Sequence, residues 1–128
     1  MRTGVGPAAD GRRRRAWRYG WLGEVLCAAM LLAKGYRVLA RRWRTAAGEI
    51  DIIARRRGVL AFVEVKARQD AGSAIVAIGP RQCRRIERAA AAFVGRRPEL
   101  AGLDWRFDVM LVTPWKLPHH LKNAWRPE

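Results

Sequence analysis

Two short segments joined by Arg57-Gly58 constrain the fold of this chain more strongly than any other feature. Residues 49–54 and 61–66 both alternate in side-chain type, which is the period of a β-strand. A two-residue turn at Arg57-Gly58 would pair them as an antiparallel hairpin. One face of that hairpin is then wholly apolar, so its register is strongly specified, whereas a three-residue loop would break it. The pairs on this apolar face are Ile50–Val65, Ile52–Val63 and Ala54–Ala61.

The opposite face of the predicted hairpin carries its charged side chains. Directly opposed residues have Cβ atoms about 5 Å apart, and like charges so placed destabilise a sheet unless something compensates them. A divalent cation does so, and Mg²⁺ or Mn²⁺ prefers carboxylate oxygens. The register therefore predicts a metal site, and the alternative is a cross-strand charge cluster without metal. The pairs on this face are Asp51–Glu64, Glu49–Lys66 and Ile53–Phe62.

The remaining pattern predicts one α/β domain. A helical apolar spacing stops at Gly35, and Pro80 opens a second helical stretch that ends before Gly95 and Pro98. The order helix–strand–strand–strand–helix–strand lets the second helix cross over and return the last strand to a mixed central sheet flanked by helices. The predicted elements are a helix at 19–34, strands at 36–43, 49–54 and 61–66, a helix at 80–94 and a strand at 105–113, followed by a tail from residue 114.

The charge of the chain favours a polyanionic partner. Its 128 residues include 26 Lys and Arg against 11 Asp and Glu, a formal charge of +15. Such an excess predicts contact with nucleic acid, and the alternative is a solubilising surface in an arginine-rich composition. Half of the residues are hydrophobic, which argues against global disorder. Residues 1–16 are interpreted as a disordered basic arm that precedes a single domain at 17–128.

The cysteines and the apolar runs argue against two other classes of protein. Cys27 and Cys83 are far apart without metal-ligand spacing, and Cys27 lies in an apolar helical run that favours a buried thiol. No apolar run approaches the ~18 residues needed to span a bilayer. No signal-peptide core precedes the basic run at residues 12–15. We therefore expect a cytoplasmic protein with no membrane partner.

The acidic segments and their surroundings resemble a known family. Asp51 with Glu64-Val65-Lys66 resembles the PD-(D/E)XK nuclease superfamily, and the chain from about residue 20 is similar to the YraN-type UPF0102 family within it. The resemblance implies a restriction-endonuclease-like domain, related to Holliday-junction resolvases, that hydrolyses DNA phosphodiesters with a metal ion. Branched recombination intermediates are one substrate class that it implies. The matching segments are 23–24, 35–36, 48–51, 62–68, 85–86, 89–90, 106–109 and His120 to Trp125.

Five residues are candidates for catalytic roles, three of them through the resemblance. In the superfamily the aspartate and glutamate, here Asp51 and Glu64, ligate Mg²⁺ or Mn²⁺, and the lysine, here Lys66, orients or activates the attacking water. Glu24 lies on a largely apolar flank of the first helix, where a carboxylate needs a partner. It is either a third metal ligand or the partner of a nearby arginine. Glu49 either binds a second metal or holds Lys66 by ion pairing.

Basic residues form the candidate nucleic-acid-binding set. Two positions depart from the family pattern, because Gln82 stands where relatives commonly carry lysine and Arg42 where they often carry asparagine. Neighbouring arginines could replace the charge of that lysine but not its geometry. The candidates are Arg12, Arg13, Arg14, Arg15, Arg68, Arg81, Gln82, Arg84 and Arg85.

Other polar and aromatic residues have competing interpretations. Asp108 is expected to form a salt bridge with Arg106 or another arginine. The adjacent His119 and His120 are expected to diverge rather than bind a metal as a pair, because no further ligand has suitable spacing nearby. Tryptophans could stack on bases, although Trp105 is expected to pack and those of the tail could equally pack against the sheet. These tryptophans are Trp43, Trp105, Trp115 and Trp125.

Two classes of function follow from the sequence. The first is a metal-dependent endodeoxyribonuclease, for which a two-fold homodimer would suit symmetric DNA. The second is a nucleic-acid-binding module without hydrolysis, acting in DNA processing or associated with RNA or the ribosome. DNA is favoured over RNA in both.

Overall fold

The computed structural model describes residues 22–68 and 78–127. Their core is a five-stranded mixed sheet with helices packed against it. This confirms the predicted α/β class, and the order of helices and strands is consistent with a restriction-endonuclease-like fold. The elements are α1 (described from 22 to 33), β1 (Arg37–Arg44), β2 (Glu49–Arg56), β3 (Val59–Ala67), α2 (Pro80–Gly95), a 3₁₀ turn (Pro98–Leu100), β4 (Asp104–Val112) and β5 (His119–Trp125).

The five strands lie side by side in chain order. β3 and β4 are parallel, with Lys66 opposite Leu111, and the other neighbouring strands are antiparallel. Parallel strands cannot be joined by a tight turn, so α2 lies in the crossover between them, as predicted. The carboxyl ends of β3 and β4 therefore meet at one edge of the sheet, where the Arg68 amide donates a hydrogen bond to the Val112 carbonyl at 2.9 Å.

The β2–β3 hairpin has the predicted register over its central part. Ile52 pairs with Val63 and Ala54 with Ala61, and Arg57-Gly58 forms the turn, with Arg57 at φ 55. The ladder ends at the Ile52–Val63 pair, so the predicted pairs beyond it are not backbone pairs. The prediction that Ile50 shares a face with Ile52 is wrong, because the two side chains lie in different core clusters. Strand alternation therefore breaks at the acidic end of the hairpin.

Each helix buries its apolar side against one face of the sheet. The buried residues of α2 are spaced at helical intervals and pack in a cluster with Ile53, Phe62 and Phe107. Cys27 and Leu31 of α1 pack in a second cluster. Consecutive strand residues thus face different helices, which explains why β3 is buried almost throughout. The α2 residues are Ile86, Ala89, Ala90 and Phe93, and the sheet residues under α1 are Ile52, Ala54, Ala61, Val63, Met110 and Val112.

Two glycines fix the position of α1. A Cβ on Gly23 would lie 3.3 Å from a methyl carbon of Val112, so glycine lets the helix approach β4 closely. Gly35 adopts φ 91 after the last turn, and the Tyr36 amide donates to the Leu31 carbonyl at 2.9 Å, an arrangement that ends the helix where predicted. The adjacent Glu24 is thereby held at the sheet and is 8% exposed.

The predicted tail contains a strand that sequence reasoning missed. β5 pairs antiparallel with β4, placing His120 opposite Met110. β1 also departs from the predicted alternation, because its pairing with β2 shifts by one residue between Val38 and Ala40. Among the described residues, no helix has the length and apolar character needed to cross a bilayer.

Candidate active site

The Asp51 and Glu64 carboxyl groups meet at the end of the β2–β3 ladder. Asp51 lies one residue beyond the last backbone pair, and its Oδ2 accepts a hydrogen bond from the Val65 amide at 2.8 Å. This side-chain bond satisfies an amide of β3 at the point where the two strands cease to pair. The predicted juxtaposition of Asp51 and Glu64 is therefore present, although through side chains rather than a regular cross-strand pair.

Burial disfavours the ionisation of both carboxyl groups. Burial and then the negative charge of Glu64 raise the pKa of Asp51 to about 7, against the hydrogen bond from Val65. Burial also raises the pKa of Glu64, although Lys66 opposes this. The negative charge of Glu64 therefore favours the protonated form of Asp51. Without a cation, the pair stores an electrostatic cost that a bound positive charge would relieve.

Glu64 has two partners besides Asp51. Lys66 Nζ lies 3.4 Å from Glu64 Oε2, and Gln82 Nε2 donates to the same oxygen at 2.7 Å. Gln82 was predicted as a nucleic-acid contact, but it reaches the acidic pair from the first turn of α2. The predicted pairing of Glu49 with Lys66 is not the one observed, because Glu49 accepts from Arg44 Nε at 3.2 Å and is more exposed. The Lys66 ammonium therefore contacts the buried acidic pair rather than Glu49.

Glu24 is held by an arginine. Arg42 Nε donates to both Glu24 oxygens, at 2.9 and 3.2 Å, and this contact raises the pKa of Arg42. Of the two sequence interpretations of Glu24, the structure shows the arginine partner. Across residues 22–68 and 78–127, no group of three Asp, Glu, His or Cys side chains is arranged to hold a metal ion. The predicted metal trio of Asp51, Glu64 and Glu24 is therefore not preassembled.

Cys27 shows that Glu24 and Asp51 nevertheless occupy one neighbourhood. Its thiol is fully buried, and its pKa is raised to about 12 by burial, then by the negative charges of Asp51 and Glu24. Asp51 also experiences the charge of Glu24 directly. Release of Glu24 from Arg42 would therefore add a carboxylate close to the acidic pair.

A cavity of about 190 Å³ opens over the acidic pair between β2, β3 and α2. Gly48, directly before β2, lets α2 approach that strand, because a Cβ there would lie 3.2 Å from the Arg85 carbonyl oxygen. The cavity is lined by Glu49, Asp51, Glu64, Gln82, Arg85 and Ile86. An acidic floor beneath an arginine on the rim suits a phosphate bridged to the floor by a cation.

The predicted nucleic-acid-binding arginines lie in different parts of the molecule. Arg81, Arg84 and Arg85 are exposed along α2, and Arg85 alone among them lines the cavity. Arg68 is exposed at the carboxyl end of β3. The basic run at residues 12–15, with the rest of the predicted arm, lies outside the described residues.

Comparison with known proteins assigns the family. The model of the family described as "Uncharacterised protein family UPF0102" matches residues 23–112, which span both carboxylates of the pair. The chain belongs to the UPF0102 family. It is 54% identical over 112 residues to a UPF0102 protein of Parvibaculum lavamentivorans, covering 88% of this chain and 84% of the relative. A UPF0102 protein of Rhodopseudomonas palustris strain BisA53 is 49% identical over 123 residues, covering 96% and 95%.

A second polar cluster of this UPF0102 protein is centred on Asp108. The Asp108 side chain is fully buried and accepts two hydrogen bonds of 2.8 Å from Arg106, one of 2.8 Å involving His120 and one of 2.9 Å from the Asn123 amide. Burial opposes its ionisation, but His120, Arg106 and Asn123 outweigh this and lower the pKa to about 2. The predicted Asp108–Arg106 salt bridge is confirmed, and the cluster fastens β5 to β4.

The two adjacent histidines diverge, as predicted. His119 is exposed, whereas the His120 side chain is 2% exposed, between Asp108 and Lys34. An ammonium can only donate, so the 2.9 Å contact from Lys34 Nζ makes His120 Nδ1 an acceptor. His120 Nε2 then carries the proton and donates to Asp108. In this UPF0102 chain His120 therefore joins α1 to the Asp108 cluster.

Two site contacts were not predicted from the sequence. Arg42 was noted only as a departure from the family pattern, and Gln82 was predicted to contact nucleic acid in place of a lysine rather than to bind Glu64. The backbone of Arg42 indicates a special position. Its φ of 51 is a left-handed conformation, which asparagine adopts at a lower energetic cost than arginine does. The two hydrogen bonds to Glu24 offset the strain of an arginine in this conformation.

Proposed function

We propose that this UPF0102 protein is a metal-dependent nuclease-like protein that hydrolyses phosphodiester bonds in DNA. The observation that carries the proposal is the pair of adjacent, partly buried carboxyl groups of Asp51 and Glu64, each with a raised pKa, beside Lys66. Structural charge clusters usually pair opposite signs, whereas here two acids share one lysine. The strongly basic composition, with a charge of +15, supports a polyanionic substrate.

The residues present fit Mg²⁺ or Mn²⁺. Asp51 and Glu64 offer hard oxygen ligands, and a cation between them would offset the burial that raises both pKa values and the Glu64 charge that adds to that of Asp51. When bound, such an ion supplies an activated water and positive charge for the developing phosphorane. Asp51 must lose its proton to act as a ligand, so cation binding is expected to release protons near neutral pH.

The protein's own side chains would orient the reaction. Lys66, already 3.4 Å from Glu64, places an ammonium where it can orient the attacking water or contact the scissile phosphate. Gln82 holds one Glu64 oxygen and leaves the other available. Arg85 on the cavity rim is placed to contact a phosphate.

Cleavage assays test this proposal. Junction, flap, single-stranded and duplex DNA are incubated with the protein and Mg²⁺ or Mn²⁺, and Lys66→Ala is expected to lower the cleavage rate at least a hundredfold, in the range for loss of a positioned proton-transfer group. Lys122→Ala, an exposed lysine on β5, is the matched control and should retain parental rates. Unchanged cleavage in Lys66→Ala or in Asp51→Ala would contradict the assigned roles.

One observation favours the alternative of a nucleic-acid-binding module without hydrolysis. Glu24 is paired with Arg42, so within the described residues the site brings two carboxyl groups together rather than three. Calorimetric titration with Mg²⁺ or Mn²⁺ separates the two functions. Binding that is lost in Glu64→Gln supports the nuclease, whereas salt-dependent DNA binding with no metal uptake supports the module.

Arg42→Asn should strengthen metal binding. The substitution frees Glu24 beside Asp51 and relieves the left-handed backbone at residue 42. We expect Mg²⁺ affinity to rise roughly tenfold, about 1.4 kcal/mol, measured by calorimetry. Arg41→Asn, an exposed arginine on the same strand, is the control. An affinity unchanged or weakened in Arg42→Asn would show that Glu24 does not reach the acidic pair.

A further inference from the structure

Trp115 differs from the other tryptophans of the described residues in its packing. Trp43 meets Phe93 edge-on, Trp105 meets Phe62, and Trp125 stacks on Phe107 while its Nε1 donates to Glu87 at 3.0 Å. Trp115 is 100% exposed in the loop between β4 and β5. The sequence left open which tryptophans pack and which are available to bases, and the structure leaves only Trp115 fully available among these four.

The loop backbone is strained at Trp115. Trp115 adopts φ 63, a conformation that bulky residues rarely take, and Pro114 and Pro118 bound the loop. Leu117, 80% exposed, lies in the same loop. A strained and fully exposed aromatic residue contributes nothing to the core, and strain of this kind is typical of a functional position.

The loop lies at the same edge of the sheet as the acidic pair. Because β3 and β4 are parallel, Lys66 lies opposite Leu111, and Trp115 follows four residues later. That length of extended chain is at most ~13 Å, which corresponds to a few nucleotides at ~3.4 Å per base along one strand. The exposed Arg68 and Lys116 flank the same edge and supply positive charge.

A cavity beside Trp115 has the size of a small ligand pocket. It measures about 380 Å³ and is lined in part by Lys116, Leu117 and His119. The apolar side chains of this cavity suit a nucleic-acid base, and the exposed Lys116 suits the phosphate, which would remain outside. Intact duplex DNA offers no free base face to such a loop, whereas single strands and the unpaired bases of gaps and branches do.

We infer that the 113–118 loop is a stacking platform for an unpaired base, with Trp115 on the base and Lys116 and Arg68 on adjoining phosphates. The inference rests on the proposed function and specifies its substrate class as DNA with unpaired bases near the cleaved bond. Stacking on an aromatic ring is tolerant of base identity, so binding here should depend on strandedness rather than sequence.

The test is DNA binding in EDTA, where cleavage does not contribute. Fluorescence anisotropy compares a labelled single strand, its duplex and a duplex with a short gap. Trp115→Ala is expected to weaken binding to the single strand and the gapped duplex about tenfold and to intact duplex less than twofold. Trp115→Phe should restore most of the affinity, and Leu32→Ala, an exposed apolar residue of α1 outside the loop, should bind as the parent does. With 2-aminopurine in the gap, quenching should be lost in Trp115→Ala and kept in Trp115→Phe.

Three results would overturn the inference. The first is an equal loss of affinity for all three DNA substrates in Trp115→Ala, and the second is no change in affinity in that variant. The third is unchanged DNA binding together with lost binding to phosphatidylglycerol vesicles, which would place Trp115 at a lipid surface. Failure of the nuclease proposal is distinguishable, because strand-selective binding through Trp115 could persist in a protein that cleaves nothing. Conversely, cleavage that is abolished by Lys66→Ala but insensitive to Trp115→Ala would leave the nuclease intact and remove the platform.

Discussion

We expect Asp108→Asn to lower the free energy of unfolding by about 3–5 kcal/mol, the usual effect of removing one partner of a buried ion pair. Asp108 is fully buried, and the Arg106 guanidinium beside it is 18% exposed and would lose its counter-charge. The His120 and Asn123 contacts, which hold β5, would lose the charge that strengthens them. Denaturant unfolding followed by circular dichroism measures the change.

The control for this prediction is Asp104→Asn, an exposed aspartate on the same strand, which should change stability by about 0.5 kcal/mol or less. The pKa of Asp108 is lowered to about 2, so its stabilisation is complete above the unfolded value near 4 and is lost as pH falls toward 2. The difference in the free energy of unfolding between the parent and Asp108→Asn should therefore decrease as pH falls from about 4 toward 2. A cost below about 1 kcal/mol at neutral pH would show that the Asp108 cluster does not hold the fold.

Asp51→Asn should stabilise the metal-free fold while abolishing cleavage. Asparagine keeps an oxygen for the Val65 amide and places an uncharged amide group beside Glu64. It also removes a buried charge that disfavours the native state at neutral pH. The pKa of about 7 and a value of roughly 1.4 kcal/mol per pKa unit predict a gain on the order of a few kcal/mol. Thermal melts in EDTA measure the gain.

The pH dependence of that gain has a defined sign. A raised native pKa means that the parent loses stability as pH rises from the unfolded value near 4 to about 7, and the loss is complete above. Parent and Asp51→Asn should thus melt alike near pH 4 and diverge toward pH 7. Added Mg²⁺ should stabilise the parent and leave the variant nearly unchanged. If Asp51→Asn melts lower than the parent in EDTA at pH 7, Asp51 is an ordinary structural carboxylate.

The hairpin and the crossover could be predicted from the sequence because each follows from an apolar pattern. A one-residue slip would move Ile52 and Val63 to the opposite face of the sheet and separate the apolar pairs, so the central register could be predicted from the sequence. β5 could not be found in this way. It is an edge strand of mostly exposed or half-buried residues, and Asn123 at φ 54 interrupts its regularity. Its stability comes from contacts with Asp108, which lies far away in the chain.

The acidic pair could be predicted for the same reason, whereas its partners could not. Asp51 and Glu64 are neighbours through the hairpin. Gln82 reaches Glu64 only because α2 lies against β2, and Arg42 reaches Glu24 only because α1 lies against the sheet. Such contacts depend on how a helix is placed on the sheet, which side-chain periodicity does not specify.

The single parallel pairing in this sheet has a consequence for the order of folding. β1–β2, β2–β3 and β4–β5 join strands that are adjacent in the chain, whereas β3 and β4 close a loop that includes α2. Loop-closure entropy opposes the long connection more than the hairpins, so we expect the N-terminal meander to form first and β4–β5 to dock later. Substitutions at Ala54 would then slow folding, and substitutions at Val109 would mainly speed unfolding, as φ-value analysis would show. Asp51 and Glu64 would meet in the early hairpin, before α2 brings Gln82 to the pair.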